Sequence, residues 1–282
     1  MGNKYAVFTM DVETLCDTEC LMNRHLDTDA TALDGLDRYM ALMDKYDIKV
    51  TLFVLSPVVS IIKDKLIQYI KNGHRIELHG TTHKSPMLLT DEEFREEMVQ
   101  AKEIVERELG ITVKGYRAPL FSLNNTKLQI LEELGFKYDA SKLDFTHARN
   151  VGTITVESFK QFLHGAYKSA KNNFYEFSAI TSTFFGKIFP ISGGGYLRLA
   201  PWQYVRPVIE NYIKTHDYYV FYLHPLDVSQ EPIPHIGHLK FQDRLYLTAG
   251  IKSYLQKIEQ IIQCLIQNNY SFVTFNDLIK MY

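Results

Sequence analysis

Apolar runs and amphipathic segments alternate along this 282-residue chain. Residues 5–10 are apolar and aromatic and end at Asp11, a pattern that predicts a buried strand followed by a charged loop. Leucine and methionine then recur at helical spacing between positions 33 and 43, which predicts a helix. Residues 50–55 are again β-branched and aromatic, and they stop at Ser56-Pro57, a natural start for another helix. The N-terminal part therefore predicts strands that alternate with helices.

The same alternation continues towards the C-terminus. Thr90 and Glu93 form a capping-box sequence that predicts the start of a helix, and Gly110 is a typical helix end. A less regular, aromatic region at 143–199 predicts loops and extra strands, because it lacks the composition of a linker. Other strands are predicted at 75–78, 113–116, 136–140, 218–223 and 271–275, and other helices at 126–134 and 251–267. Such an alternation is typical of parallel βα units, so we expect an α/β fold.

Composition and charge narrow the classes of partner. The chain has 31 lysines and arginines against 33 aspartates and glutamates, which gives a net charge of −2 at pH 7. Nucleic acids and anionic membranes both select clustered positive charge, so neither is an expected partner of a nearly balanced chain. Hydrophobic residues make up 46% of the sequence, enough to fill a large core. We therefore expect a globular protein.

Three further features bear on location. Cys16, Cys20 and Cys264 are odd in number and match no zinc-module spacing, which predicts free thiols. The N-terminus reaches an acidic residue before it forms an apolar stretch long enough for a secretory signal. The longest apolar stretch, at 50–62, contains a Ser-Pro pair and falls short of the roughly 20 residues that span a bilayer. Together these features predict a cytoplasmic protein without a transmembrane segment.

Acidic and imidazole side chains follow two of the predicted strands. Asp11 and Glu13 follow the first strand, and His79 and His83 follow the third in the run His79-Gly-Thr-Thr-His83. Because the carboxyl ends of parallel strands meet at one face of a barrel, these side chains are candidates for one site. Two histidines and a carboxylate from another strand form a metal-ligand set with positions open to water. Taken alone, however, the histidine pair also fits two surface histidines.

Arg117 and His224 end two more predicted strands. A guanidinium can orient a carboxylate, and a strand-end histidine can serve as a general acid. Each residue also has an ordinary interpretation, a surface salt bridge for Arg117 and a satisfied strand-end histidine for His224. In combination, a carboxylate base, a metal triad, an arginine and a further histidine are the components of metal-assisted amide or ester hydrolysis.

Five ordered motifs resemble those of the polysaccharide deacetylase family (chitooligosaccharide-deacetylase homology domain), whose metal-dependent enzymes remove N- or O-acyl groups from sugars. These motifs span most of the chain and are Thr9-Met-Asp-Val-Glu13, His79-Gly-Thr-Thr-His83, Tyr116-Arg-Ala-Pro119, Tyr138-Asp-Ala-Ser141 and Tyr222-Leu-His-Pro225. The stretch Ser192-Gly-Gly-Gly-Tyr-Leu-Arg198 resembles a branch whose first motif also contains D-V-E. The resemblance implies a distorted (β/α) barrel of about seven parallel strands, as a single domain over residues 1–282.

The resemblance also implies catalytic roles for the matching residues. Asp11 would be the general base, held by Arg117, and His224 would be the general acid that protonates the departing amine. Asp139 would orient or tune that histidine. The backbone N–H of Leu120 would help to hold the oxyanion.

The metal ligands implied by the resemblance are His79 and His83 together with the second of two adjacent aspartates. Val12 occupies that third position here, and valine cannot bind a metal. Since a strand alternates its side chains, Asp11 and Glu13 would share one face while Val12 points into the barrel wall. Glu13 is therefore the expected third ligand of a divalent metal, with Zn²⁺ the expected ion.

The residues and the resemblance together predict a metal-dependent hydrolase that removes an N-acyl group, acetyl or formyl, from an amino sugar or glycan precursor. Two alternatives stay open. An allantoinase-like, metal-independent hydrolase would act on another C–N bond in the same barrel, and metal analysis distinguishes it. A catalytically silent carbohydrate-binding protein, suggested by Val12, would bind sugar and release no acetate.

Overall fold

Strands and helices alternate in the computed structural model, which describes residues 3–22, 24, 28–144, 152–184, 186–234, 236–237 and 239–282. The strands are β1 (Lys4–Val12), β2 (Thr51–Val54), β3 (Arg75–Leu78), β4 (Gly115–Tyr116), β5 (Tyr138–Leu143), β6 (Phe159–Leu163), β7 (Ala166–Ser169), β8 (Tyr175–Ala179), β9 (Thr181–Phe184), β10 (Lys187–Pro190), β11 (Tyr218–Phe221) and β12 (Tyr270–Phe272). The helices are α1 (Asp34–Lys45), α2 (Ser56–Lys71), α3 (Asp91–Leu109), α4 (Asn125–Glu133), α5 (Gly194–Leu199), α6 (Trp202–Thr215), α7 (Phe241–Thr248), α8 (Ile251–Gln267) and α9 (Phe275–Met281). Single 3₁₀ turns lie at Leu15–Asp17, Pro86–Leu88, Pro119–Phe121 and Pro225–Val228. Two elements, β3 and α8, have the predicted bounds.

Seven strands lie side by side and parallel, in the order β11, β1, β2, β3, β4, β5, β8. In this register Thr9 lies opposite Thr51, and Thr51 lies opposite Arg75. The two end strands approach each other, since the ring centroids of Phe177 in β8 and Tyr218 in β11 are 6.5 Å apart. The sheet therefore curls into a distorted barrel, and the predicted α/β fold with about seven parallel strands is confirmed.

The central strands are buried on both of their faces, as is typical of parallel strands. Every residue of β1 after Lys4 is buried, and so is every residue of β2. Parallel strands are typically covered in this way, by helices on one face and by packed side chains on the other. The aromatic rings of Phe53, Tyr138 and Phe275 pack against one another with centroid distances of 5.3 to 6.5 Å.

Local sequence signals set several helix ends. The Thr90 hydroxyl accepts a hydrogen bond from the Glu93 N–H, and the Glu93 carboxylate accepts one from the Thr90 N–H, which confirms the predicted capping box. Gly110 ends α3 in the left-handed conformation with φ of 66°. The sequence pattern does not predict α6, because Pro207 lies inside it and lacks the N–H that a helix interior uses.

The irregular region predicted at 143–199 adds strands to the barrel. Its strand β8 joins the parallel run, β7 and β6 extend the sheet in antiparallel fashion, and β9 pairs with β10 in a separate hairpin. Strands from both halves of the chain thus share one sheet, as expected of a single domain. The extent of that domain, residues 1–282, stays a prediction. Within the part of the chain that the structure describes, no helix is long and apolar enough to cross a membrane.

Candidate active site

The predicted site residues gather at one end of the barrel. Asp11 is the second-last residue of β1 and Glu13 follows that strand, whereas His79, Arg117 and His224 come shortly after β3, β4 and β11. In the parallel sheet β11 is next to β1, β3 is next to β4, and β2 separates β1 from β3. Their carboxyl ends therefore meet at one face, where the active sites of βα barrels are found.

Three side chains converge there with metal-ligand atoms. The donor atoms of Glu13, His79 and His83 all lie within 4.8 Å of one another, and all three residues are buried. Nε2 of His83 lies 2.8 Å from Oε2 of Glu13. Val12 is fully buried in the hydrophobic core, as expected of a residue in the barrel wall. The alternation that places Glu13 rather than Val12 at the site is thus present in the structure.

Two ring nitrogens of this set, Nε2 of His79 and Nδ1 of His83, are buried without a hydrogen-bond partner, while Oε2 of Glu13 contacts Nε2 of His83. His79 Nδ1 lies 2.8 Å from the main-chain carbonyl of Arg117, and because a carbonyl only accepts, Nδ1 must carry the proton. Nε2 is then a free lone pair. Since burying unpartnered polar atoms costs about 1–3 kcal/mol each, the set fits a bound divalent cation.

The charges around this trio favour the ligand forms of Glu13 and His79. Burial raises the pKa of Glu13, but the neighbouring imidazoles of His83, His224 and His79 outweigh it and lower that pKa to about 2. Burial lowers the pKa of His79 to about 4, although Asp11 opposes this. Glu13 is therefore ionised and His79 neutral near pH 7, as metal binding requires.

Arg117 holds Asp11 inside the barrel. Its Nη1 donates to Oδ1 of Asp11 at 2.8 Å and to the hydroxyl of Thr9 at 2.7 Å. Its Nε donates to the Ala140 carbonyl at 3.1 Å, and its guanidinium lies 4.3 Å from the ring centroid of Phe53. The expected pairing of Arg117 with Asp11 is therefore present, with both side chains nearly inaccessible to solvent.

The turn after Arg117 has an unusual backbone. Leu120 and Phe121 both adopt the left-handed region, with φ of 58° and 53°. Two consecutive non-glycine residues in this region are costly, at roughly 1–2 kcal/mol each, and such strain is concentrated at functional sites. The preceding N–H of Ala118 is fixed by a 2.8 Å hydrogen bond to the Ser141 hydroxyl. The role of the Leu120 N–H at an oxyanion stays a prediction.

His224 is oriented by a carboxylate that the sequence analysis did not identify. Its Nδ1 lies 3.2 Å from Oδ2 of Asp227, and Asp227 is in turn bound by Arg198 at 2.7 Å. Burial lowers the pKa of His224, but Glu13, the hydrogen bond to Asp227 and the charge of Asp11 raise it to about 9. The sequence signal that could have found Asp227 is its spacing, three residues after His224, which is the spacing of a capping box.

Asp139, expected to orient His224, lies elsewhere. It accepts hydrogen bonds from the N–H and hydroxyl of Ser141, both at 2.8 Å, and lies opposite Glu176 of β8. The physical reason is strand alternation: the neighbouring Tyr138 packs among rings inside the barrel, so Asp139 points to the other face. The structure therefore corrects the prediction for Asp139, because the carboxylate that lies beside His224 is that of Asp227.

Two family models match the chain. The polysaccharide deacetylase model matches residues 27–138, and a domain of unknown function (DUF3473) matches residues 146–280. The first match contains the histidine pair and Arg117, whereas Asp11 and Glu13 precede it. His224 lies in the second match. Both matched segments contribute strands to the one sheet.

The chain is also similar in sequence to a described deacetylase. A peptidoglycan deacetylase of Helicobacter pylori is 27% identical over 114 residues, which are 40% of this chain and 39% of that protein. The match thus concerns about two fifths of that relative's length.

Two solved structures share the fold. A candidate polysaccharide deacetylase from Mycobacterium smegmatis has a TM-score of 0.63 at 16% identity, covering 100% of this chain and 91% of that chain. A family 4 acetyl xylan esterase from Clostridium thermocellum, solved with a cobalt ion, has a TM-score of 0.53 at 16% identity, covering 99% and 91%. At these identities the comparison concerns the fold alone.

Proposed function

From the match of residues 27–138 to the polysaccharide deacetylase model, we propose that the chain belongs to that family and is a metal-dependent hydrolase that removes an N-acyl group from an amino sugar or glycan precursor. The observation that carries the proposal is the buried ligand set of Glu13, His79 and His83 beside the Asp11–Arg117 pair. Such a set next to an acid and a further histidine supports hydrolysis of an unactivated amide.

Glu13, His79 and His83 would hold the metal. A divalent ion bound there supplies a Lewis acid that polarises the acyl carbonyl and makes water more acidic. Zn²⁺ is the ion we expect, because one carboxylate and two imidazoles are a common catalytic zinc ligand set. The unpartnered Nε2 of His79 and the buried carboxylate of Glu13 support this assignment.

Asp11 acts as the general base and accepts a proton from the attacking water, while Arg117 keeps its carboxylate in place. The water oxygen bonds to the acyl carbon, and the Leu120 N–H donates to the acyl oxygen as negative charge develops on it. The C–N bond then breaks as His224 donates its proton to the amine nitrogen. The products are a carboxylic acid and the free amino sugar.

The substrate details are proposals of the same kind. The acyl group is acetyl or formyl, and the named activity of the Helicobacter pylori relative supports an N-acylated glycan as the substrate class. A cytoplasmic location, and a glycan precursor rather than a finished polymer as the substrate, are part of the proposal. Fractionation of cells that express the chain at its native level tests that location.

The deciding experiment is mass-spectrometric screening of N-acylated sugar nucleotides and oligosaccharides with protein loaded with Zn²⁺. We expect loss of one acyl mass from at least one substrate, no loss with chelator-treated protein, and none with Asp11→Asn. Equal turnover after complete metal removal would support the allantoinase-like alternative. Sugar binding without acyl release by the parent protein would indicate a silent carbohydrate-binding protein and would overturn the proposal.

A further inference from the structure

We propose that Asp227 and Arg198 are positioning residues for His224, so that a buried arginine–carboxylate pair fixes the imidazole that protonates the leaving amine. This inference rests on the proposed function, in which His224 is the proton donor. It assigns the task to residues from the C-terminal half of the chain instead of the strand-β5 aspartate.

The first step is the contact between His224 and Asp227. One oxygen of Asp227, Oδ2, accepts from the main-chain N–H of His224 at 3.0 Å and lies 3.2 Å from its Nδ1. Since an ionised carboxylate only accepts, Nδ1 is the donor in this contact. The other ring nitrogen, Nε2, is then the one left to serve a substrate. The His224 side chain is 17% exposed against 2% for Asp227, so the imidazole forms the accessible end of the pair.

The second step is the contact between Asp227 and Arg198. The other carboxylate oxygen, Oδ1, accepts from Nε of Arg198 at 2.7 Å. The remaining guanidinium nitrogens donate to the main-chain carbonyls of Ala249 and Tyr246, and the Arg198 side chain is fully buried. A planar guanidinium bound on three sides cannot rotate, so it fixes the carboxylate that it holds.

The third step is how the fold brings Arg198 to this place. Gly193 makes the approach possible, because a Cβ there would lie 2.0 Å from the Tyr222 carbonyl oxygen, at the end of β11. Lys257 of α8 donates to the carbonyls of Leu197, Arg198 and Ala200 at 2.9 to 3.2 Å. Helix α5 is thereby held between the end of β11 and helix α8. This gives a physical reason for the glycine run that precedes Arg198.

A purely local explanation of Asp227 is a cap for the 3₁₀ turn Pro225–Val228. The chain contains a matched case of such a cap: Asp277 accepts from the N–H of Thr274 at 3.0 Å and from its hydroxyl at 2.7 Å at the start of α9. Asp227 differs from Asp277 in its contacts with an imidazole and a buried arginine. The variant Asp277→Asn is therefore the control for loss of a capping carboxylate alone.

The test compares Asp227→Asn with Asp277→Asn in the full-length, metal-loaded protein on an N-acetylated sugar that the parent hydrolyses. In Asp227→Asn we expect kcat to fall on the order of 10²-fold with KM within about twofold, because proton donation and not binding is affected. The alkaline limb of the kcat profile should move to lower pH, since a negative charge that favours the imidazolium is lost. Asp277→Asn should change neither. Parental kcat and an unmoved limb in Asp227→Asn would overturn the proposal.

A second readout needs no substrate. The ring of His224 is titrated by NMR in histidine-labelled protein, with its signal assigned from His224→Gln. We expect its titration midpoint to fall in Asp227→Asn and to stay at the parental value in Asp277→Asn. An unchanged midpoint in Asp227→Asn overturns the positioning role whether or not a substrate has been found. Absence of acyl release by the parent protein concerns only the proposed function.

Asp227→Asn leaves the Arg198 cation buried without its partner, which can prevent folding. The double variant Asp227→Asn/Arg198→Met removes both charges at similar side-chain volume and keeps the test decisive. We expect it to fold, with kcat lowered to a similar extent and with the alkaline limb displaced in the same direction by a smaller amount, because the Arg198 cation that disfavours the imidazolium is lost as well. A folded double variant with parental kcat would refute the inference.

Discussion

His79 donates from Nδ1 to the main-chain carbonyl of Arg117 across 2.8 Å. The side chain of the same arginine binds Asp11, also at 2.8 Å. One residue therefore orients a proposed metal ligand through its main chain and the proposed base through its guanidinium. Substitution of the Arg117 side chain should separate the two effects.

In Arg117→Lys we expect kcat to fall on the order of 10²-fold while the metal content stays at the parental value. An ammonium cannot reproduce the fixed contacts of the guanidinium with Asp11, Thr9 and Ala140, whereas the carbonyl that holds His79 is unchanged. Turnover and elemental analysis on one preparation check this. Arg95→Lys, at an exposed ion pair, is the control. Loss of metal in Arg117→Lys would contradict the separation.

Asp11→Asn should abolish hydrolysis and leave bound metal nearly unchanged. The amide keeps the size of the side chain and its acceptor oxygen for Arg117, but it is no longer a base. Turnover and bound metal are again measured together. Retained activity would remove Asp11 from the mechanism, and complete loss of metal would make it a ligand.

Glu13→Ala should lose most of the bound metal, because only the two imidazoles of the ligand set remain. Elemental analysis of parent and variant after dialysis checks the expected loss. Glu19→Ala removes an exposed acid from the same loop and should retain full occupancy. Full occupancy in Glu13→Ala, or no metal in the parent, would defeat the assignment of Glu13 as a ligand.

His224→Ala should cost about 10²- to 10⁴-fold in kcat on an N-acetyl sugar, the usual range for a positioned proton donor. An activated aryl acetate should lose much less, since a nitrophenolate departs without protonation. The two substrates are compared with the same enzyme preparation. Equal losses on both would mean that His224 does not act by protonating the leaving group.

Glu176→Gln should stabilise the protein more at pH 8 than at pH 4. Burial raises the pKa of both Asp139 and Glu176, which lie opposite each other on β5 and β8. A carboxyl group whose pKa is raised by folding binds more protons in the folded state than in the unfolded state. Its contribution to stability is therefore complete below its unfolded pKa, about 4, and declines as the pH rises towards its folded pKa. Glutamine cannot ionise in the unfolded chain and avoids this decline.

Urea unfolding of parent and Glu176→Gln at both pH values measures the difference in the free energy of unfolding. Glutamine can keep the acceptor for the Lys142 N–H, which Glu176 Oε1 binds at 3.0 Å. Glu133→Gln, at an exposed glutamate, is the control for a general change in charge. The same difference at pH 4 and pH 8 would show that the pair does not titrate as described.

Much of the fold was predictable because its signals are local. The buried strands β1 and β2, the capping box of Thr90 and Glu93, and the whole of α8 follow from the spacing of apolar residues and from cap chemistry. The helix α6 escaped prediction since Pro207 opposes its local propensity. Its buried face, which includes Ile209 and Tyr212, supplies the stabilisation that propensity lacks.

The location of most candidate site residues was also set by sequence. A strand end places its side chain at the carboxyl face of a parallel barrel, so Asp11, His79, Arg117 and His224 could be assigned to one face. Alternation along a strand likewise separated Glu13 from Val12. These inferences need only the element type and the position within it.

Only the tertiary structure decided which buried charges pair. Asp227 meets Arg198 from 29 positions away because Gly193 allows α5 to approach the end of β11, and Asp139 faces away from His224 because of its place in the pleat of β5. Hydrophobic periodicity determines which side of an element is buried, and it acts over a few residues. The partner of a buried charge depends on the close approach of elements distant in sequence, and no local pattern encodes that distance.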